Sequence, residues 1–157
     1  MLPSGRLSDK GRLLDRDLLR HFGYTADPHN LERTYAYLTD VSHLWLGRGP
    51  SDKLRRPSTQ DKNHCAPWLQ RELQAVRPRV IILLGRHAAP FFLARYAGIR
   101  VRRLGDVIGQ AYVCRVGDFE TTAVPTLHPT GAQMAAGGAA SAYAETARLV
   151  SQLLAAA

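Results

Sequence analysis

The run Val80-Ile-Ile-Leu-Leu84, bounded by Pro78 and Gly85, is apolar at every position. A strand with one face in water alternates apolar and polar residues. A run without alternation therefore suits a strand covered on both faces, as in a parallel sheet flanked by helices. The rest of the chain supplies such helices. In "KGRLLDRDLLRHFGY" Leu14 and Leu18 lie one helical repeat apart and Gly23 is a stop signal; in "CAPWLQRELQAV" Leu69, Leu73 and Val76 keep the same spacing. "RHAAPFFLARYAG" predicts a further helix, and "SAYAETARLVSQLLAA" a last one with Tyr143, Ala147, Val150 and Leu154 on one stripe. "TYAYLTDV" predicts a strand over 34–41, and "GQAYVCRVGDFETTAVPTLHPT" predicts two strands around a Gly117-Asp118 turn. Alternating helices and strands argue for an α/β layer fold, in which ligands meet the carboxyl ends of the parallel strands. Three predicted strand ends, Thr39-Asp40, Gly85-Arg86 and His128-Pro129, are then expected to converge.

A length of 157 residues fits a single domain, 1–157, with one good core. Lys and Arg total 21 against 13 acids, a net charge of +8. Such a balance favours nucleic acid or another anionic surface, although an arginine-rich composition inherited from a GC-rich genome gives the same number. The two cysteines, Cys65 and Cys114, have neither a disulfide framework nor metal-ligand spacing, which suits a reducing cytoplasm. "MLPSGRLSDKGR" has no apolar signal region, and no apolar stretch reaches the length of a membrane span, so a cytoplasmic location is expected. Residues 46–62, rich in Gly, Pro and charge, predict a long loop, and long loops in compact domains tend to be functional.

Taken in order, "GRLLD", "YLTDV", "RRPSTQDKNHCAPWLQRELQAVRPRVIILLG" and "VPTLHPTGAQ" resemble the uracil-DNA glycosylase superfamily, above all its bacterial and archaeal iron–sulfur branches. The likeness runs over roughly residues 5 to 153. It implies a three-layer α/β/α sandwich around a short, mainly parallel sheet. The family's first strand, which ends in a Gly-Glu-x-Pro-Gly-like motif that positions the attacking water, has no counterpart in this sequence. Either the chain is an N-terminally truncated version, or another segment, a protein partner or self-association completes the sheet. The resemblance implies DNA as the partner, carrying uracil or another damaged base, and no membrane.

The departures bear on chemistry. The family asparagine that reads the uracil edge aligns with Asp40; an amide both accepts and donates there, whereas an ionised carboxylate only accepts. Asp40 therefore suits a base that offers a donor at that edge, or must be protonated. An iron–sulfur cluster needs four thiolates. Cys65 matches one family ligand and Leu44 stands at a second, so no cluster, no metal and no other cofactor is expected. Cys65 and Cys114 are then read as small buried residues. Leu54 stands where the covalently trapped branch carries a histidine, and the stacking aromatic expected around Arg6 to Ser8 is missing.

Base excision requires the nucleotide to be flipped into a pocket. By the resemblance, His128 donates a hydrogen bond to O2 of the departing base, a contribution of about 3–4 kcal/mol in comparable oxyanion sites. The plain alternative is a histidine that caps a strand and bonds to main chain. Arg55, Arg56, Ser58 and Thr59 are candidate phosphate ligands, or a solvated loop. Thr130, Gln133 and Met134 belong to the segment that enters the minor groove as a wedge, or to a flexible small-residue loop. The expected activity is hydrolysis of the N-glycosidic bond of a flipped, deaminated base in base excision repair. The alternatives are a catalytically degenerate DNA-binding member of the superfamily and a nucleotide or small-anion binder.

Overall fold

A computed structural model describes residues 8–44, 46–48 and 55–156. Helix α1 (Asp9–Asp17) starts where the Ser8 hydroxyl accepts the Gly11 N–H at 3.2 Å, and a 3-10 turn (Leu19–Phe22) carries the chain to Gly23 in the left-handed region. Two short strands, β1 (Tyr24–Thr25) and β2 (Thr34–Tyr35), pair in parallel. Then follow α2 (Thr59–Val76), β3 (Val80–Leu84), α3 (Gly85–Tyr96), a 3-10 turn (Leu104–Asp106), β4 (Tyr112–Val116), β5 (Phe119–Thr126), α4 (Pro129–Gln133) and α5 (Gly138–Ala155).

The main sheet has the order β3-β5-β4. Strand β3 runs parallel to β5, with Val80 opposite Thr122 and Leu84 opposite Thr126, whereas β4 and β5 form an antiparallel hairpin. Helices cover both faces, as an α/β layer fold requires. On one face Leu69 and Leu73 of α2 and Phe92 and Leu93 of α3 pack against Leu83, Cys114, Val116 and Ala123. On the other, Leu14 and Leu18 pack with Tyr143 and Ala147 of α5, and Ile82 and Leu84 of β3 lie against them. Ile81 belongs to the first cluster and Ile82 to the second, so the apolar run in β3 feeds both layers.

The expected double burial of β3 is nevertheless incomplete. Only Leu83 is fully buried and its neighbours in the strand are half-buried, because β3 is an edge of the main sheet and pairs on one side only among the described residues. The strand expected over 34–41 is realised only at Thr34–Tyr35. Beyond it the Ala36 N–H still donates to the Thr25 carbonyl at 2.7 Å, and further on side chains hold the segment: the Tyr37 and Thr39 hydroxyls both donate to Glu72 of α2, the latter at 2.8 Å. The loop expected over 46–62 is shorter than anticipated, since α2 begins at Thr59. Residues 49–54, Leu54 among them, lie outside the described residues, as do Arg6 and Leu7.

Candidate active site

The last residue of β5 is the buried Thr126, whose hydroxyl accepts from Thr146 of α5 at 2.8 Å. Two residues on, the chain breaks outward. His128 has φ −64° and ψ 146°, the extended conformation that a following proline imposes, and Pro129 occupies the first position of α4. Proline suits that position because the first N–H groups of a helix have no partner within the helix. The His128 ring supplies the cap: its Nδ1 accepts the Thr130 N–H at 3.3 Å. An accepting Nδ1 places the proton of the neutral imidazole on Nε2. The side chain is exposed, so its donor nitrogen belongs to a ring at the surface. His128 is thus both a cap and an exposed donor; the helix it caps, α4, was not foreseen.

Gly85 closes the other side of this strand end. It has φ +81°, and a Cβ built on it would stand 2.8 Å from the His128 Cβ and 3.4 Å from its backbone nitrogen. The carboxyl ends of β3 and β5 approach so closely that only glycine fits between them. Immediately after it, Arg86 is exposed and His87 half-buried in the first turn of α3. The pKa of His87 is lowered from 6.5, first by burial and then by the charges of Lys62, Arg86, Arg56 and His128. The basic side chains of Lys62, Arg86 and Arg56, and His128, thus lie near enough to His87 to disfavour its protonation.

The other predicted residues stand in different settings. Arg55 and Arg56 are exposed, and the Arg55 N–H donates to Gly47 at 3.2 Å. Ser58 forms a capping box with Asp61: its hydroxyl accepts the Asp61 N–H at 3.1 Å, while its own N–H donates to the Asp61 carboxylate at 2.8 Å. That hydroxyl is engaged with the helix start, and Thr59 is the exposed first residue of α2. Thr130 contributes its N–H to His128; Gln133 borders a cleft with Asp15 and Arg33; Met134, at the end of α4, is 83% exposed. Asp40 is exposed on the segment that Thr39 and Tyr37 tie to α2. The Gly85-Arg86 strand end was among those expected from the sequence, whereas Lys62 and His87 were missed by sequence reasoning.

The profile of the uracil DNA glycosylase superfamily matches residues 6–151. The chain belongs to this superfamily. A type-4 uracil-DNA glycosylase of Saccharolobus solfataricus is 31% identical over 92 residues, which are 59% of this chain and 41% of that protein. One from Sulfurisphaera tokodaii is 29% identical over 102 residues, 65% of this chain and 44% of the relative. One from Pyrobaculum aerophilum is 33% identical over 75 residues, 48% and 38% of the two chains. The chain thus spans less than half the length of these curated relatives.

The iron–sulfur cluster of the superfamily's type-4 branch does not fit the thiols of this chain. Cys65, buried at 2% exposure, lies 3.9 Å from the Ser42 hydroxyl, and Leu44 is 44% exposed. Cys114 donates to the Tyr112 carbonyl from inside the core, and burial pushes its thiol up to about 11, away from the thiolate that ligation needs. Among the described residues no His, Cys, Asp and Glu side chains gather as a metal site, and no helix is long and apolar enough to cross a membrane.

Proposed function

We propose that this chain is a glycosylase that hydrolyses the N-glycosidic bond of a flipped, deaminated base in DNA. The single observation that carries this reading is the exposed His128 ring, with Nδ1 engaged by Thr130 and the proton therefore on Nε2. As the bond breaks, positive charge develops on the sugar and negative charge on the base. A fixed Nε2–H aimed at the base oxygen is stronger toward that anion than toward the neutral ground state, which is what lowers a barrier. Pro129 and Gly85 hold the ring without a flexible side chain of their own. Arg55, Arg56 and Thr59 hold strand phosphates, and Gln133 and Met134, presented at the end of α4, fill the space left by the flipped nucleotide. In this reading residues 1–157 act as one domain, and a strand from elsewhere in the protein or from a partner covers the open edge of β3, the geometry of strand addition.

The test is excision from uracil-containing single- and double-stranded oligonucleotides at enzyme excess. Abasic product from wild type, formed on the order of 10²–10³-fold more slowly by His128→Gln, supports the reading; no product from wild type overturns it. A second reading, a DNA-binding member without turnover, is favoured by Asp40, which as a carboxylate faces the uracil O4 without a donor. Retained, salt-sensitive binding with no excision would select it.

A further inference from the structure

The segment after β2 carries Asp40 but has little main-chain support. The Ala36 N–H donates to the Thr25 carbonyl, and among the described residues the next main-chain hydrogen bond before α2 is that of the Arg55 N–H to Gly47. Val41 packs against the first core cluster, and the Ser42 hydroxyl lies 3.9 Å from the Cys65 thiol. The remaining anchors meet on one carboxylate. Glu72 accepts from the Tyr37 hydroxyl with one oxygen and from the Thr39 hydroxyl, at 2.8 Å, with the other. Thr39 has a single hydroxyl proton, and it points to Glu72. The His43 Nε2, 3.1 Å from the Thr39 oxygen, must then carry the donor N–H. That nitrogen also stands 3.6 Å from the Glu72 oxygen that Thr39 bonds.

Asp40 is thereby bracketed by contacts at Tyr37, Thr39 and His43, and each leads to Glu72. Tyr37 and Thr39 reach the same carboxylate from positions two apart, as alternate residues of an extended chain do. Leu38 and Asp40 are then turned to the other side, and both are exposed. Glu72 rides on a fixed support, because Leu73 beside it and Leu69 one turn before are buried in the core. We propose that Glu72 is a positioning residue for base recognition: it holds Tyr37, Thr39 and, through Thr39, His43, and so fixes the Asp40 carboxylate where the edge of a flipped base is read. The proposal rests on Asp40 as the edge-reading residue of the base-excision reading. Such a reader has to be held to within about 0.5 Å by supporting hydrogen bonds, and Glu72 supplies them to a segment that has no ladder.

The probes are single-stranded oligonucleotides that differ at one position, which holds 2′-fluoro-2′-deoxyuridine, 2′-fluoro-2′-deoxycytidine or an abasic tetrahydrofuran. Fluorine withdraws electrons from a sugar that would have to become positive, so the bases stay attached while the full chain binds them. Affinities are measured by fluorescence anisotropy. Uracil and cytosine differ at the edge assigned to Asp40, an oxygen in one and an amine in the other, and an acceptor-only carboxylate should separate them by about fivefold or more. Asp40→Ala should bring that ratio to within about twofold of one. Glu72→Ala and the pair Tyr37→Phe/Thr39→Val should each do the same, with affinity for the abasic probe changed less than about twofold, and combining them should add nothing further. A variant that merely folded less well would weaken all three probes together and leave the ratio in place. A wild-type ratio within about twofold of one, or a ratio that survives in Asp40→Ala, in Glu72→Ala or in the hydroxyl pair, would each overturn the proposal. Should Glu72→Ala not fold, the hydroxyl pair decides alone. Because the probes are not cleaved, a wild type that shows the ratio and loses it in Glu72→Ala, yet excises nothing from deoxyuridine, would overturn the glycosylase reading alone. Excision by wild type with a ratio indifferent to Glu72 would overturn this proposal alone.

Discussion

His128 is positioned by three independent constraints: the proline after it, the Thr130 N–H on Nδ1, and Gly85 behind its Cβ. Replacing His128 by Gln keeps a polar side chain but loses the fixed Nε2–H, and excision should fall on the order of 10²–10³-fold in single-turnover assays. Gly85→Ala meets both a positive φ and a 2.8 Å approach to His128. It should cost about 2 kcal/mol or more in urea unfolding and lower excision as well, since the strand ends must part to admit the methyl. Asp40→Asn restores a group able to accept and donate at the base edge, so uracil excision should rise by at least about tenfold; an unchanged rate would remove Asp40 from the base pocket. At this scale the sequence was only partly legible. The His-Pro-Thr end was visible as a stretch that breaks out of an apolar run, and the Gly85-Arg86 end was expected to converge on it; how closely the two approach was not legible, because that is set by the parallel register of β3 and β5. Ser58 carried a readable signal, Ser-Thr-Gln-Asp, that fits a capping box as well as it fits a phosphate loop.

Among the elements, α1 is tied to the turn after β1 by one carboxylate. Asp15 accepts from the Thr25 hydroxyl at 2.7 Å, the Ala26 N–H at 2.8 Å and Arg33 at 2.6 Å. Burial by itself would raise the Asp15 pKa, but the hydrogen bonds from Thr25, Arg33 and Ala26 together outweigh it and hold the carboxyl below its ordinary value of 3.8. The folded state therefore binds this proton less readily than the unfolded chain, so its contribution is present above about pH 4 and is lost as pH falls through the lower folded-state value. Asp15→Asn should destabilise the protein by about 1–3 kcal/mol at neutral pH and flatten the acid limb of stability against pH. In β3 the Arg79 carbonyl accepts the Thr122 N–H, so residues of that parity face β5. The N–H of Ile82 points the other way, toward the edge without a ladder partner among the described residues. Amide exchange should be faster at Ile82 than at Ile81 and Leu83; equal protection would mean that another strand covers the edge. The long helices and the β4–β5 hairpin were legible because their periodicity and turn signals are local. Residues 36–40 were not, because their strand-like alternation carries no information about whether a neighbouring strand is there to pair with.

For the whole molecule, two apolar layers separated by a sheet were readable from the unbroken run at 80–84, and the superfamily from motifs spread along the chain. The net charge of +8 was visible but could not be located; folding gathers part of it beside His128 and pairs part of it elsewhere, as in Arg33 with Asp15 and Arg77 with Asp118. The contact between Gly85 and His128 has a consequence for how such a protein can change. Two main chains touching through a missing side chain leave no rotamer to adjust, so the imidazole cannot be re-aimed by small substitutions nearby. Shifts in base preference must then come from residues outside the two strand ends, while the strand ends remain a fixed anvil.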